Sequence, residues 1–420
     1  MDKELAFVLI NPYTIAKSRT GGVIARYICR SDLSLVAARM YGPCRKLVDE
    51  YSELIRNAKT DDPQTTRLIA DYIRDSYAPD PSTGKPQRVM LLLFEGEDAV
   101  RKIWKVTGSA TLRWGSGETI RDTYGDYITD KDGNVQYFEP AVLVGPTKKR
   151  TAATLKLWAR HSKTDGGIID SAIDVPAEKN TEKTLVLIKP DNFRFPSARP
   201  GNIIDFLSSS GLRIVAVKKL TMTVAQAENF YGPVRESLKR KFAENGAERA
   251  AGALSREFGF SVPQQSVETI CESLGPVFAQ SQFEDIVEFM AGCKPSECTE
   301  HEKPQTGKGE CLALVYEGAD AVNIIRNIVG MTDPSRARPG SVRREFGSDV
   351  MVNAAHASDS IENAVREMNI INITEDGIEP LVSGYYGKKI TQATPIGRFM
   401  HRFRSSIINR LRQGWQSVKA

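Results

Sequence analysis

Histidine is scarce in this chain, at four of 420 residues, and cysteine is hardly commoner at six. So few cysteines over this length make no disulfide framework, and free thiols in a reducing compartment, by default the cytoplasm, are expected. Cys293 and Cys298, with His301 and Cys271 near them, lack the spacing of a zinc finger, so no metal ligands are assigned. The start, Met1-Asp2-Lys3-Glu4, has no secretory pattern, and its short apolar run reads as a strand. No stretch reaches the about 20 apolar residues that span a bilayer. Neither sign of charge dominates. The balance of 57 Lys and Arg against 52 Asp and Glu leaves +5, too mild to imply nucleic acid. What remains is a globular chain long enough for two or three domains.

One of the four histidines lies in Asn353-Ala354-Ala355-His356-Ala357-Ser358-Asp359-Ser360. Asp359 reads as a helix N-cap, and Glu362 three residues on completes a capping-box pattern. Ile361, Val365 and Met368 recur at helical spacing, which predicts that their face meets the core. Glu367 is expected off that face, from where its carboxylate can reach the ring and fix which nitrogen is free. A neutral imidazole so held is a nucleophile, and a phosphoryl group is its expected electrophile. The bland alternative is a loop histidine beside a helix start.

The octapeptide resembles the N-x-x-H-G-S-D-S signature of nucleoside diphosphate kinases. Thr184-Leu185-Val186-Leu187-Ile188-Lys189-Pro190-Asp191 resembles that family's first strand and its phosphate-binding lysine. The resemblance continues through Gly201, Gly211, the Tyr231 segment and Cys311 to Gly318. Arg326, Gly330, Thr332, Pro334, Pro339, Gly340 and Arg343 then fall at the family's spacing before the histidine. It covers roughly 183–385. It implies nucleoside diphosphate kinase activity: ping-pong transfer of a triphosphate's γ-phosphate to a diphosphate through His356. It implies that Lys189 and Asn353 meet the sugar and that Arg326, Thr332 and Arg343 meet the phosphates. Tyr231 and Glu367 would position His356, with Ser358 binding or orienting, and Phe283 is the expected base-stacking aromatic. The cofactors implied are Mg2+ and ATP, the ion being held by the nucleotide phosphates more than by protein. Each residue type suits phosphoryl transfer, which needs cations and alignment more than covalent chemistry.

The sequence departs from the family at Ala357, where glycine is usual. A left-handed backbone there would make alanine costly. The segment from Tyr231 to Cys311 is also much longer than the family's helical hairpin.

The first half parallels the second. Ala6–Pro12 matches Leu185–Pro190, Met40-Tyr41-Gly42-Pro43 matches Phe230-Tyr231-Gly232-Pro233, Phe94–Val100 matches Tyr316–Val322, and Gly117–Arg121 matches Gly340–Arg343. In it Asn11, Trp104 and Ala110 stand where Lys189, Arg326 and Thr332 do. Phe138–Pro146 contains no histidine. This half is expected to be catalytically dead, a pseudo-dimer partner or regulatory surface.

Short apolar strands alternate with amphipathic helices, an α/β pattern. Strands are predicted at 5–10, 35–40, 88–94, 184–189, 213–218 and 311–316. The residues alone leave parallel and antiparallel sheets open. The resemblance implies an α+β sandwich of two tandem ferredoxin-like domains, each with a four-stranded antiparallel sheet and a helical insertion. The expected divisions are a degenerate domain at 1–162, a linker at 163–183, an active domain at 184–385 with an insertion at 232–310, and a basic amphipathic helix at 386–420. That tail has eight Lys or Arg and no acidic residue. Its apolar stripe can dock on this protein or a sister subunit, or its charge can seek an anionic membrane surface or, without sequence specificity, nucleic acid. Nucleoside di- and triphosphates and further copies of the chain are the other expected partners. A nucleotide-binding scaffold with little turnover, and a protein-histidine phosphotransferase, are the alternative functions.

Overall fold

The computed structural model describes residues 3–59, 62–111, 117–170, 172, 181–305 and 307–391, with side chains to 386. Its strands are β1 Glu4–Ile10, β2 Ser34–Tyr41, β3 Val89–Gly96, β4 Asp126–Thr129, β5 Val135–Glu139, β6 Val142–Val144, β7 Thr181–Ile188, β8 Arg213–Met222, β9 Gly309–Ala319 and β10 Ala355–Ala357. Eight of them form one antiparallel sheet in the order β10-β7-β9-β8-β2-β3-β1-β6. The ferredoxin-like order occurs twice, as β6-β1-β3-β2 and as β10-β7-β9-β8. The two groups meet at their second strands, where Arg39 pairs with Lys218. The hairpin of β4 and β5 stands apart.

The strands read as unbroken apolar runs because helices cover both faces. Along β1, Ala6, Val8 and Ile10 face one core, and Leu5, Phe7 and Leu9 face another. The first core is continuous across the seam, since Val186 and Ile188 of β7 join it. The opposite face is divided between two clusters, one for each half. On the shared face the helices Thr20–Ser31 and Arg199–Ser208 cross closely. A Cβ on Gly21 would collide with the Gly201 carbonyl, and one on Gly201 with that of Gly21. Arg39, 4% exposed, ties the seam. Its guanidinium donates to the carbonyls of Ser162, Gly166, Thr374 and Glu375 at 2.7–3.2 Å.

Several sequence expectations need correction. The N-cap of the helix Ile361–Ile370 is Ser360, whose hydroxyl accepts from Asn363 N–H, not Asp359. Ile361 and Val365 are 45% and 50% exposed, and the buried face is Ala364, Glu367 and Met368. Hydrophobic period alone does not give this phase, because a carboxylate, Glu367, occupies the inner face. Tyr41 is not the counterpart of Tyr231. It ends strand β2, whereas Tyr231 ends the helix Val224–Tyr231. β7 begins at Thr181, inside the stretch expected to be linker. Glycine freedom is not needed at Ala357, which lies in β10; the left-handed residue is Ala354, at φ 68°.

The insertion after β8 is helical, with Val234–Lys241, Ala247–Phe258 and Gln264–Ala291 its main elements. The helix Ile378–Thr391 crosses back to the first half, where Ile378 and Val382 enter its core. It overlaps the start of the expected basic helix, whose residues 392–420 lie outside the described ones. Among the described residues no helix is long and apolar enough to cross a membrane.

Candidate active site

The short strand β10 pairs with β7, setting His356 opposite Leu187 and two residues from Lys189. Lys189 N–H donates to the Ala354 carbonyl at 2.9 Å, so the left-handed turn at Ala354 is fastened to the end of β7. Asn192 Nδ2 reaches the same carbonyl at 2.8 Å. His356 therefore leaves a braced turn rather than a free loop.

The imidazole keeps 20% of its side-chain surface exposed, and its Nε2 stands 2.9 Å from Glu367 Oε2. Glu367 is 4% exposed, and its Oε2 also accepts the Ser358 hydroxyl at 2.6 Å. An ionised carboxylate only accepts, so Nε2 carries the proton and Nδ1 is left with its lone pair. Phe230 packs edge-on against the ring at 4.9 Å between centroids, and Tyr231 at 6.0 Å. The ring is thus held by one hydrogen bond and two aromatic walls.

Cations gather beside it. Lys189 Nζ donates to Asn353 Oδ1 at 2.7 Å and to the Met351 carbonyl at 3.3 Å. Burial above all, with the charge of Arg343 second, pushes Lys189 down to about 8. Asn353 in turn donates to the carbonyls of Thr332 and Val350 at 3.0 and 2.8 Å. Arg343 donates through Nε and Nη2 to the Ala355 carbonyl and through Nη1 to that of Gly330. Burial pushes it down to about 10, and the like charge of Arg326 adds to this, so it stays charged at neutral pH. Arg326 and Thr332 are exposed. The Tyr231 hydroxyl is buried and accepts or donates no hydrogen bond among the described residues. A buried hydroxyl without a partner is costly unless a ligand supplies one.

Lys189, Thr332, Arg343, Asn353 and His356 are therefore linked around one loop, with Tyr231 and Glu367 against the histidine. Two expected site residues are not at this surface. Phe283 is wholly buried in the second half's core, with the Arg235 guanidinium 3.6 Å over its ring, so it has no face for a base. Ser358 is also wholly buried and touches Glu367, so it supports the carboxylate rather than meeting nucleotide. Asn192, Phe230 and Asp191 were missed from sequence. Only the adjacency of Phe230 to Tyr231, and of Asp191 and Asn192 to Lys189, signalled them. Asp191 lies 3.6 Å from Arg199 and its carboxyl is pushed up by burial.

The equivalent place in the first half is closed. Leu143 occupies the register of His356, opposite Leu9 and two residues from Asn11. Asn11 N–H donates to the Ala141 carbonyl, and Ala141, at φ 60°, repeats the turn of Ala354. Arg121 donates to the Gly108 carbonyl as Arg343 does to Gly330. Asn11 is bonded to Glu139 at 3.0 Å and to the Tyr77 hydroxyl at 2.7 Å, and Tyr72 donates to Glu139 at 2.6 Å. Burial raises the Glu139 carboxyl. Side chains of the protein fill the space and satisfy one another.

The family described as nucleoside diphosphate kinase matches residues 182–254 and 279–375. The chain is 31% identical over 195 residues to the nucleoside diphosphate kinase of Helicobacter pylori strain P12, spanning 46% of this chain and 98% of that protein. It is 31% identical over 188 residues to that of Chlamydia abortus, spanning 45% of this chain and 90% of that protein. The crystal structure of Aquifex aeolicus nucleoside diphosphate kinase is similar at 28% identity and a TM-score of 0.30, covering 48% of this chain and 99% of that one. With the family's match lying within 182–375, where the histidine site is, and a 31%-identical relative covered over 98% of its length, this chain belongs to the nucleoside diphosphate kinase family.

Proposed function

We propose that the protein is a nucleoside diphosphate kinase whose second half transfers phosphate through His356 and whose first half is a catalytically inactive copy. The observation that carries this is the chain Ser358–Glu367–His356, which uses Nε2 and leaves Nδ1 as the nucleophilic nitrogen. In the first step the Nδ1 lone pair attacks the γ-phosphorus of a nucleoside triphosphate, and the bond from phosphorus to the bridging β,γ-oxygen breaks. The diphosphate departs with that electron pair. The ring becomes a cationic phosphohistidine whose Nε2 proton faces the Glu367 carboxylate. An acceptor diphosphate then attacks the same phosphorus, and Nδ1 regains its lone pair.

Lys189, Arg326 and Arg343 stabilise the charge on the phosphate oxygens, Thr332 supplies a hydroxyl, and Asn353 with Lys189 meets the sugar. The buried, unpartnered Tyr231 hydroxyl is suited to a transferring oxygen. The donor set fits a magnesium nucleotide as substrate: Lys189, Arg326, Arg343, Thr332 and Asn353 are cationic, hydroxyl or amide groups. The phosphates themselves would be the ligands, and the ion supplies charge neutralisation.

The closed first half, joined through β2 and β8, takes the place of a second subunit in the sheet. Assembly into higher oligomers, and an anionic surface for the basic residues beyond 391, remain parts of this proposal. The buried Phe283 favours one alternative, a nucleotide-binding scaffold with little turnover. A coupled assay with ATP and several nucleoside diphosphates decides: turnover with all of them supports the kinase, and binding without turnover supports the scaffold.

A further inference from the structure

Away from the histidine site, Cys44, His161 and Asp165 bring one sulfur, one nitrogen and one carboxylate oxygen within 4.8 Å of one another. They come from three separate element ends. Cys44 precedes the helix Arg45–Arg56, His161 follows Lys148–Arg160, and Asp165 closes the short helix Ser162–Asp165. Asp165 and His161 are 5% and 12% exposed at their side chains.

His161 Nδ1 stands 3.7 Å from Asp165 Oδ2. That exceeds hydrogen-bond length. It is close to the ligand–ligand edge of about 3.4 Å in a tetrahedron whose bonds to zinc are about 2.1 Å. On the other side of the ring, Nε2 stands 3.8 Å from Glu50 Oε2. A carboxylate behind a ligating imidazole is the usual device that orients it. Burial pushes the Cys44 thiol up in the metal-free protein, so the thiol is protonated there. The mixed sulfur, nitrogen and oxygen donors suit zinc and disfavour magnesium or calcium.

The location gives such an ion a structural task. Asp165 accepts the backbone N–H of Gly42 at 2.7 Å and that of Cys44 at 2.9 Å. Gly166 bridges to Tyr41, and its carbonyl accepts from Arg39 at the seam. This is where the chain leaves the first half.

We propose that Cys44, His161 and Asp165 bind one zinc ion, with a water in the fourth position, and that the ion staples the exit of the first half to the start of the helix Arg45–Arg56. Binding forms Zn–S, Zn–N and Zn–O bonds and releases the Cys44 thiol proton to solvent, with no redox change. The site is independent of the kinase reading.

The test uses the full chain. It is incubated with zinc chloride, freed of excess metal by gel filtration, and its zinc counted. Cobalt(II) replaces zinc in a parallel sample, and thiolate-to-cobalt charge transfer is read in the near ultraviolet. The expected result is one zinc per chain and a thiolate band. Cys44→Ser removes the band and weakens zinc at least tenfold, Glu50→Gln weakens it about tenfold, and Cys293→Ser with Cys298→Ser changes neither. The wild-type spectrum decides even where a variant fails to fold. Absence of the band in wild type, zinc below one-tenth per chain, or zinc lost with Cys293 and Cys298 but kept in Cys44→Ser overturns the proposal.

Discussion

Glu367 Oε2 lies 2.9 Å from His356 Nε2 and 2.6 Å from the Ser358 hydroxyl, so one buried oxygen orients the ring while being oriented itself. A charged acceptor is worth most when the ring turns cationic on phosphorylation. Glu367→Gln is expected to lower kcat about 100-fold, or ~2.7 kcal/mol, with KM for ATP within a few-fold. Ser358→Ala removes a neutral donor and costs only about 1 kcal/mol. Steady-state kinetics of the two variants check the ranking. Equal losses in both would deny the carboxylate its special role.

The residue before β10 offers a test of the turn. Ala354 is left-handed and Ala357 is extended in a strand. Ala354→Gly relieves a positive φ and is expected to be neutral or to stabilise by up to about 1 kcal/mol. Ala357→Gly weakens a strand by roughly 0.5–1 kcal/mol and brings no gain in activity. Urea denaturation of both variants reads the difference, and a stabilising Ala357→Gly would contradict this geometry.

Lys189 gives a pH dependence with a definite sign. Its folded pKa is lowered from 10.5 to about 8, mainly by burial. The ammonium proposed to meet nucleotide is therefore lost as pH rises through about 8, and kcat/KM for ATP is expected to fall there. Folding has the opposite trend. Between about 8 and 10.5 the unfolded chain binds the proton more tightly, so this group's contribution to stability rises with pH. In Lys189→Arg the side chain stays charged, and the alkaline fall of kcat/KM should disappear, whatever the absolute rate. A fall persisting unchanged in that variant would assign it to another group.

Much of this architecture was legible in the sequence. The apolar runs found at 5–10, 35–40, 88–94 and 311–316 correspond to β1, β2, β3 and β9 to within a few residues. Burial on both faces makes such runs conspicuous. The hairpin of β4 and β5 also carries a local signal, Asp132-Gly133 in the turn between its strands. Other features had no local mark. The Tyr-Gly-Pro match at Tyr41 is a tripeptide shared by a strand end and a helix end. Glu367 occupies the buried face of its helix because its partner comes from β10, which periodicity does not see. Phe283 is sealed by Arg235 and the inserted helices, a tertiary event beyond its own segment. Ala354 adopts a glycine-like angle because Lys189 N–H and Asn192 grip its carbonyl.

The first half should resist reactivation by its nucleophile alone. Leu143 has the register of His356, but Asn11, Glu139, Tyr72 and Tyr77 fill the adjoining space with mutual hydrogen bonds. Leu143→His is expected to add no second phosphate per chain on incubation with labelled ATP, and to cost stability by burying an imidazole. Phosphate stoichiometry by intact-mass measurement checks it, and two phosphates per chain would show the first half to be open.

The central claim is tested most directly by trapping the phosphoenzyme. The full chain is incubated with γ-labelled ATP, quenched, and split into acid- and alkali-treated samples. Wild type is predicted to carry one acid-labile, alkali-stable phosphate per chain, discharged by added nucleoside diphosphate. His356→Ala is predicted to carry none while keeping the wild-type circular dichroism spectrum. An acid-labile phosphate that persists in His356→Ala would contradict the assignment of His356 as the nucleophile.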